Sequence, residues 1–120
     1  MTETLEQKDE LAALVGIYGA LLSARQRDFI ELHTCEDLSL AEIAESRAIS
    51  RQAVHDAIRL GTRSLVKYEA ALGFLARERA AAESLAALRR LVSGNDAARG
   101  HVERLTALLG SPDGEESANV

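Results

Sequence analysis

Apolar residues recur along this chain at spacings of three and four, the period of a helix with one buried face. Leu11, Leu14, Val15, Tyr18, Leu21 and Leu22 predict a first amphipathic helix. Gly16 and Gly19 weaken it unless another helix packs close against them. Ser23 with Gln26 three residues on forms a capping box, which predicts a second helix over residues 24–35 that buries Phe29, Leu32 and Cys35. The polar pair Glu36 and Asp37 ends it. Ser39 with Glu42 repeats the device and starts a short helix over 40–46, with Leu40, Ile43 and Ala44 inward. Ala48 and Ile49 make a turn. Ser50 then caps a longer helix with Val54, Ala57, Ile58, Leu65 and Val66 inward, and Leu72-Gly73 marks its end. Leu85, Leu88 and Leu91 predict another helix between residues 74 and 92, stopped at Gly94. Asn95 or Asp96 caps a last one with Val102, Leu105, Leu108 and Leu109 inward. Residues 110–120 read as a polar, disordered tail.

These elements divide the chain into an acidic N-terminal segment (1–10), a helix-turn-helix domain (11–72), C-terminal helices (73–109) and the tail (110–120). Composition agrees with an all-α fold. Among the 120 residues are 21 Ala and 18 Leu but only 11 Val and Ile together, and the single Pro is at 112. Ala and Leu favour helices, and the scarce β-branched and aromatic residues are those of strands. Cys35 stands alone and makes no internal disulfide, which fits a reducing cytoplasm. No signal peptide is apparent, and the longest uncharged stretch, Leu11 to Ala24, is too short for a membrane span of about 20 residues. A soluble cytoplasmic protein is expected.

The net charge is -5, which argues against a general nucleic-acid coat, but the charge is uneven. Residues 38–67 hold Arg47, Arg51, Arg59, Arg63 and Lys67 against Glu42, Glu45 and Asp56, while both ends are acidic. A local basic face on an acidic protein binds a polyanion locally while the remaining field opposes indiscriminate binding.

The segment Leu38 to Leu60 carries the function. A short helix, a tight turn and a second helix, wedged apart by Ile43, Ile49, Val54 and Ile58 with the small Ala44 at the crossing, predict a helix-turn-helix. Its second helix is expected to present Arg51, Gln52, His55 and Asp56 to base edges. Arg and Gln suit bidentate contacts to guanine and adenine, and Asp can accept from cytosine. Ser50, Arg59, Arg63 and Lys67 are expected to meet phosphates. The competing reading is a solvated helix face, with the arginines and lysine paired to acidic neighbours. The turn position usually held by Gly is Ala48, and a positive φ there costs Ala about 1–2 kcal/mol. His33, Cys35, His55 and His101 have no metal-ligand spacing. No nucleophile–base set and no Gly-rich phosphate loop is evident, so neither cofactor, metal nor enzymatic activity is expected.

Arg25-Gln26-Arg27, Ser39 to Glu45 and Ile49-Ser50-Arg51 resemble region 4 of sigma factors, in the winged-helix-like DNA-binding superfamily. The closer resemblance is to the YlxM family of small bacterial helix-turn-helix proteins. It runs from Leu11 to Leu75 through Ile17-Tyr18, Ile30-Glu31-Leu32, Asp37 to Glu45, Ile49 to Ile58, and Tyr68-Glu69 with Leu72. Ala48 for Gly, His33-Thr34 for aromatic residues and His55 for Tyr are departures. The resemblance implies a regulatory or accessory role beside the signal recognition particle, with duplex DNA, the particle's RNA or its GTPase as partner. It leaves a second reading open, an adaptor that binds the GTPase and has little DNA binding. The Ala/Leu helices after residue 73 either close the domain or form a homodimer seam.

Overall fold

The computed structural model describes residues 4–109; the tail expected at 110–120 lies outside them. Six α-helices and one short 3-10 turn account for the secondary structure, with no strand among the described residues. The chain divides into two compact units at Gly73 and Phe74.

In the first unit, α1 spans Leu5–Tyr18, a 3-10 turn follows at Gly19–Leu21, and α2 (Ala24–Thr34), α3 (Leu40–Arg47) and α4 (Arg51–Leu72) complete it. The capping boxes at Ser23/Gln26 and Ser39/Glu42 are both formed in full. A third box escaped the sequence reading: Thr4 accepts from the Gln7 amide, and the Gln7 side chain accepts from the Thr4 amide. It starts α1 at Leu5, so most of the acidic segment is the opening of the first helix. The signal was present as Thr-x-x-Gln. At the other end α1 stops at Tyr18, which leaves Leu21 in solvent instead of on the helix's inner stripe.

Two hydrophobic layers hold these helices. Leu11, Leu14, Val15 and Tyr18 of α1 are buried, as are Ile30 of α2 and Leu65 of α4. The second layer joins Phe29, Ile43, Ala44, Val54 and Ala57, with Leu32, Leu38, Leu40, Ile49 and Ile58 packed around it. Burying each of the large, fully covered members, such as Ile30, Ile43, Val54 and Leu65, is worth about 1.5–3 kcal/mol. The inner stripe of α4 is Val54, Ala57, Gly61 and Leu65. Val66 lies one residue past that stripe and is exposed, a correction to the expected inward set. Gly61 sits where α2 comes closest: a Cβ there would lie 2.7 Å from Ile30 Cδ1 and 3.2 Å from Gln26 Cβ. The Tyr18 hydroxyl donates to Glu69 Oε1 at 2.7 Å, and the Tyr18 and Tyr68 rings stack at 5.9 Å with a 44° tilt. The end of α1 is thereby tied to the last turns of α4.

Cys35 corrects another expectation. Helix α2 ends at Thr34, and Cys35 is its C-cap residue, turned out of the inner stripe and exposed.

The second unit is a helical hairpin of α5 (Phe74–Leu91) and α6 (Asp96–Leu108), with Asn95 capping α6 through the Ala98 amide. Leu75, Leu85 and Val102 are its buried residues. Arg89 grips Glu103 with two hydrogen bonds, Nε to Oε2 at 2.8 Å and Nη2 to Oε1 at 3.1 Å, and also donates to Thr106. Two helices enclose only a narrow seam, so Leu88, Leu91, Leu105, Leu108 and Leu109 stay exposed. Helical spacing alone predicts the leucines of α6 inward, and the structure corrects that expectation.

Candidate nucleic-acid interface

The turn between α3 and α4 sets the geometry of the candidate face. Ala48 adopts φ 56° and ψ 44°, the left-handed conformation. That conformation lets the Ile49 amide reach the Ala44 carbonyl at 3.1 Å and the Ala48 amide reach Glu45 at 3.3 Å. These are the two bonds of a Schellman closure, whose hydrophobic partner contact is Ile49 against the cluster containing Ala44. The sharp stop of α3 follows, and α4 begins three residues later. Ser50 Oγ accepts from the Ala53 amide at 3.0 Å. That bond uses a lone pair of the hydroxyl and leaves its O–H able to donate outward.

Beyond this cap Arg51, Gln52, His55, Asp56, Arg59, Arg63 and Lys67 are all exposed. They run along one side of α4 for about 24 Å at the helical rise. Among the described residues Arg51, Arg59, Arg63 and Lys67 have no ion-pair partner. Gln52 and Asp56 are neighbours one turn apart: Gln52 Nε2 donates to Asp56 Oδ1 at 2.9 Å. His55 Nδ1 lies 3.6 Å from the same oxygen. Asp56 therefore holds one amide hydrogen of Gln52 and leaves the other hydrogen and the carbonyl oxygen facing solvent.

Arg47, counted in the basic middle, does not add to this face. Its guanidinium makes a bidentate pair with Asp28 of α2, Nε to Oδ2 at 3.0 Å and Nη2 to Oδ1 at 3.1 Å. The hydrogen bonds and the charge of Asp28 raise the Arg47 pKa above its ordinary value. Arg25 was read only as part of a motif, and it belongs beside the face. It lies over the Phe29 ring with 5.5 Å to the centroid. Together with Ser23, Gln26, Asp56 and Leu60 it lines a shallow groove of about 380 Å³ between α2 and α4. Nothing in the linear sequence signalled that approach, because it depends on α2 crossing α4 at Gly61.

Among the described residues no three His, Cys, Asp or Glu side chains converge as metal ligands. None of the described helices is long and apolar enough to cross a membrane.

Comparison with known proteins bears on this arrangement. The profile of the UPF0122 family, described as "Putative helix-turn-helix protein, YlxM / p13 like", matches residues 5–103. A UPF0122 protein of Desulforamulus reducens is 44% identical over 77 residues, 64% of this chain and 66% of that protein. One from Symbiobacterium thermophilum is 44% identical over 72 residues, 60% of this chain and 67% of its own length. A third, from an Exiguobacterium species, is 37% identical over 93 residues, covering 78% and 87%. The chain thus spans about two thirds of the length of the first two relatives.

Proposed function

The chain belongs to the UPF0122 family of YlxM / p13-like helix-turn-helix proteins, and from that premise we propose that it is a nucleic-acid-binding regulator that docks α4 in the major groove of duplex DNA. One observation carries the reading. A capped helix start exposes Arg51 and Gln52, and three cations without ion-pair partners among the described residues follow along the same side. In a helix-turn-helix the first turns of the second helix meet base edges while flanking residues grip the backbone. Arg51 then reads guanine. Gln52 reads adenine with the amide hydrogen and oxygen that Asp56 leaves outward. His55 adds a base or phosphate contact. Asp56 orients Gln52 and repels phosphate, which limits binding to sites where the base contacts compensate. Ser50, Arg59, Arg63 and Lys67 hold phosphates.

A second copy completes the reader, with two recognition helices about 34–36 Å apart on successive groove faces. The exposed leucines of α5 and α6 support self-association through the second unit. The resemblance to the YlxM family adds a cytoplasmic role beside the signal recognition particle. The particle's RNA or GTPase is the alternative partner, and an adaptor with little DNA binding is the alternative function. RNA would be held by shape and phosphate, because an A-form major groove excludes a helix.

The test is fluorescence anisotropy with labelled duplex DNA, the particle's RNA and its GTPase. Three phosphate-binding cations predict a salt slope of about -2.7 for each protomer engaged, roughly a forty-fold weakening between about 50 and 200 mM salt, and about twice that slope for a bound dimer. An Arg51→Ala, Arg59→Ala double variant should lose this binding. Binding to the GTPase alone, unaffected by salt and by the double variant, would refute the recognition-helix assignment.

A further inference from the structure

A groove of about 880 Å³ lies on the side of α4 away from Arg25. Its volume falls within the roughly 300–1,000 Å³ typical of small-molecule sites. Three helices give it an apolar floor, Leu11 from α1, Leu40 from α3 and Ile58 from α4. Around the floor stand Lys8, His33, His55 and Arg59, and among the described residues no carboxylate lines the groove. Two further groups, the Ser39 and Thr62 side chains, add hydroxyls to the wall.

The groups on the rim are held in different ways. The Lys8 side chain is only 20% exposed and is anchored from outside the groove by Asp37. Arg59 has no ion-pair partner among the described residues. His33 is oriented by its Nδ1–H donating to the Leu38 carbonyl at 2.8 Å. An apolar floor ringed by Lys8, Arg59 and hydrogen-bonding groups, with no carboxylate on its walls among the described residues, is complementary to a compact anion carrying a hydrophobic body. Neither a bare phosphate, which leaves the floor wet, nor a neutral hydrocarbon, which strands the rim, matches both parts.

We propose that this groove binds a small organic anion with an apolar or aromatic body, and that its occupant competes with nucleic acid. The competition rests on the function proposed above, since His55 and Arg59 belong to both surfaces. An anion drawn to Arg59 removes a phosphate clamp from the helix that reads the duplex and places negative charge beside it. The site itself rests only on the groove. Lys8 comes from the start of α1, a segment that sequence alone had set outside the domain.

Anilinonaphthalene sulfonate has the required chemistry, an aromatic body bearing one sulfonate, and its fluorescence rises when it leaves water. The expected result is saturable binding to the full-length protein below its melting transition. Lys8→Gln and Arg59→Ala should each weaken it by about two- to fivefold, the value of a partly exposed ion pair. The melting midpoints of both variants, recorded alongside, should stay close to that of the parent protein. Rising probe concentration should release labelled duplex from the parent protein, and Lys8→Gln should keep its duplex affinity. Absence of saturable probe binding, or binding by both variants as tight as that of the parent protein, overturns the site. A Lys8→Gln loss of duplex affinity as large as its loss of probe assigns the groove to the nucleic-acid track and also overturns it. Failure of the parent protein to bind duplex at low salt sinks the function proposed above and the competition with it. Probe binding then decides the site alone.

Discussion

Replacing Ala48 by Gly should stabilise the protein, and the size of the gain follows from the turn. Ala48 is held at φ 56° and ψ 44°, where an L-residue with a Cβ carries a penalty of about 1–2 kcal/mol. Glycine carries none, but it raises the entropy of the unfolded chain, which costs about 0.4–1 kcal/mol. Ala48 is exposed, so no packing is lost with its methyl. The difference leaves a gain of roughly 0.5–1 kcal/mol, or about 2–8 °C in melting midpoint for a domain of this size. Urea denaturation followed by far-UV circular dichroism measures it, with the midpoint moving and the slope unchanged. Ala48→Val provides the opposite arm, because a β-branched residue fits the left-handed region worse, and should lower stability. A glycine variant no more stable than its parent, or a valine variant equal to it, would refute the claim that this turn stores strain.

Gly61→Ala should destabilise by about 1 kcal/mol despite its better helix propensity. The new methyl meets the fully buried Ile30 at 2.7 Å, an overpacking that costs about 1–3 kcal/mol against about 1 kcal/mol gained in propensity; equilibrium unfolding checks the sign. Cys35, exposed at the end of α2, should react with a thiol reagent in the native state without denaturant, and protection lifted only by denaturant would contradict its position. The Glu103 carboxyl, hydrogen-bonded by Arg89, is held below the ordinary glutamate range. Its contribution to the hairpin is therefore complete above that range and lost as pH falls through the lowered value. Carboxyl NMR should find its midpoint below those of unpaired glutamates, and Arg89→Ala should return it to them.

The parts of the fold legible in the sequence are those written in short-range chemistry. Ser23, Ser39 and Ser50 announce three helix starts because each hydroxyl accepts from the amide three residues on, helped at Ser23 by the Gln26 carboxamide and at Ser39 by the Glu42 carboxylate, whatever else surrounds them. Gly73, at φ 65°, announces an end for a similarly local reason. Thr4 with Gln7 is equally local in its chemistry and starts α1 by the same device. What could not be read depends on which helices meet. Arg47 looks like part of a basic face until α2 brings Asp28 to it. Val66 and the leucines of α6 obey helical spacing, yet the width of the partner surface decides which members of a spaced set are covered. Lys8 and Arg25 flank α4 only because α1 and α2 cross it.

The two sides of α4 have unequal freedom to change. On the inner side Val54, Ala57, Gly61 and Leu65 answer to neighbours on other helices, and Gly61 tolerates no larger residue without moving Ile30. On the outer side Arg51, Gln52 and His55 touch little that the fold requires. Mutations there escape purging by misfolding, so a lineage can drift through many outer-face sequences while the scaffold stays constant. On the function proposed above, proteins sharing this architecture can in this way acquire different targets, and the capacity to diverge resides in a few solvent-facing positions of a single helix.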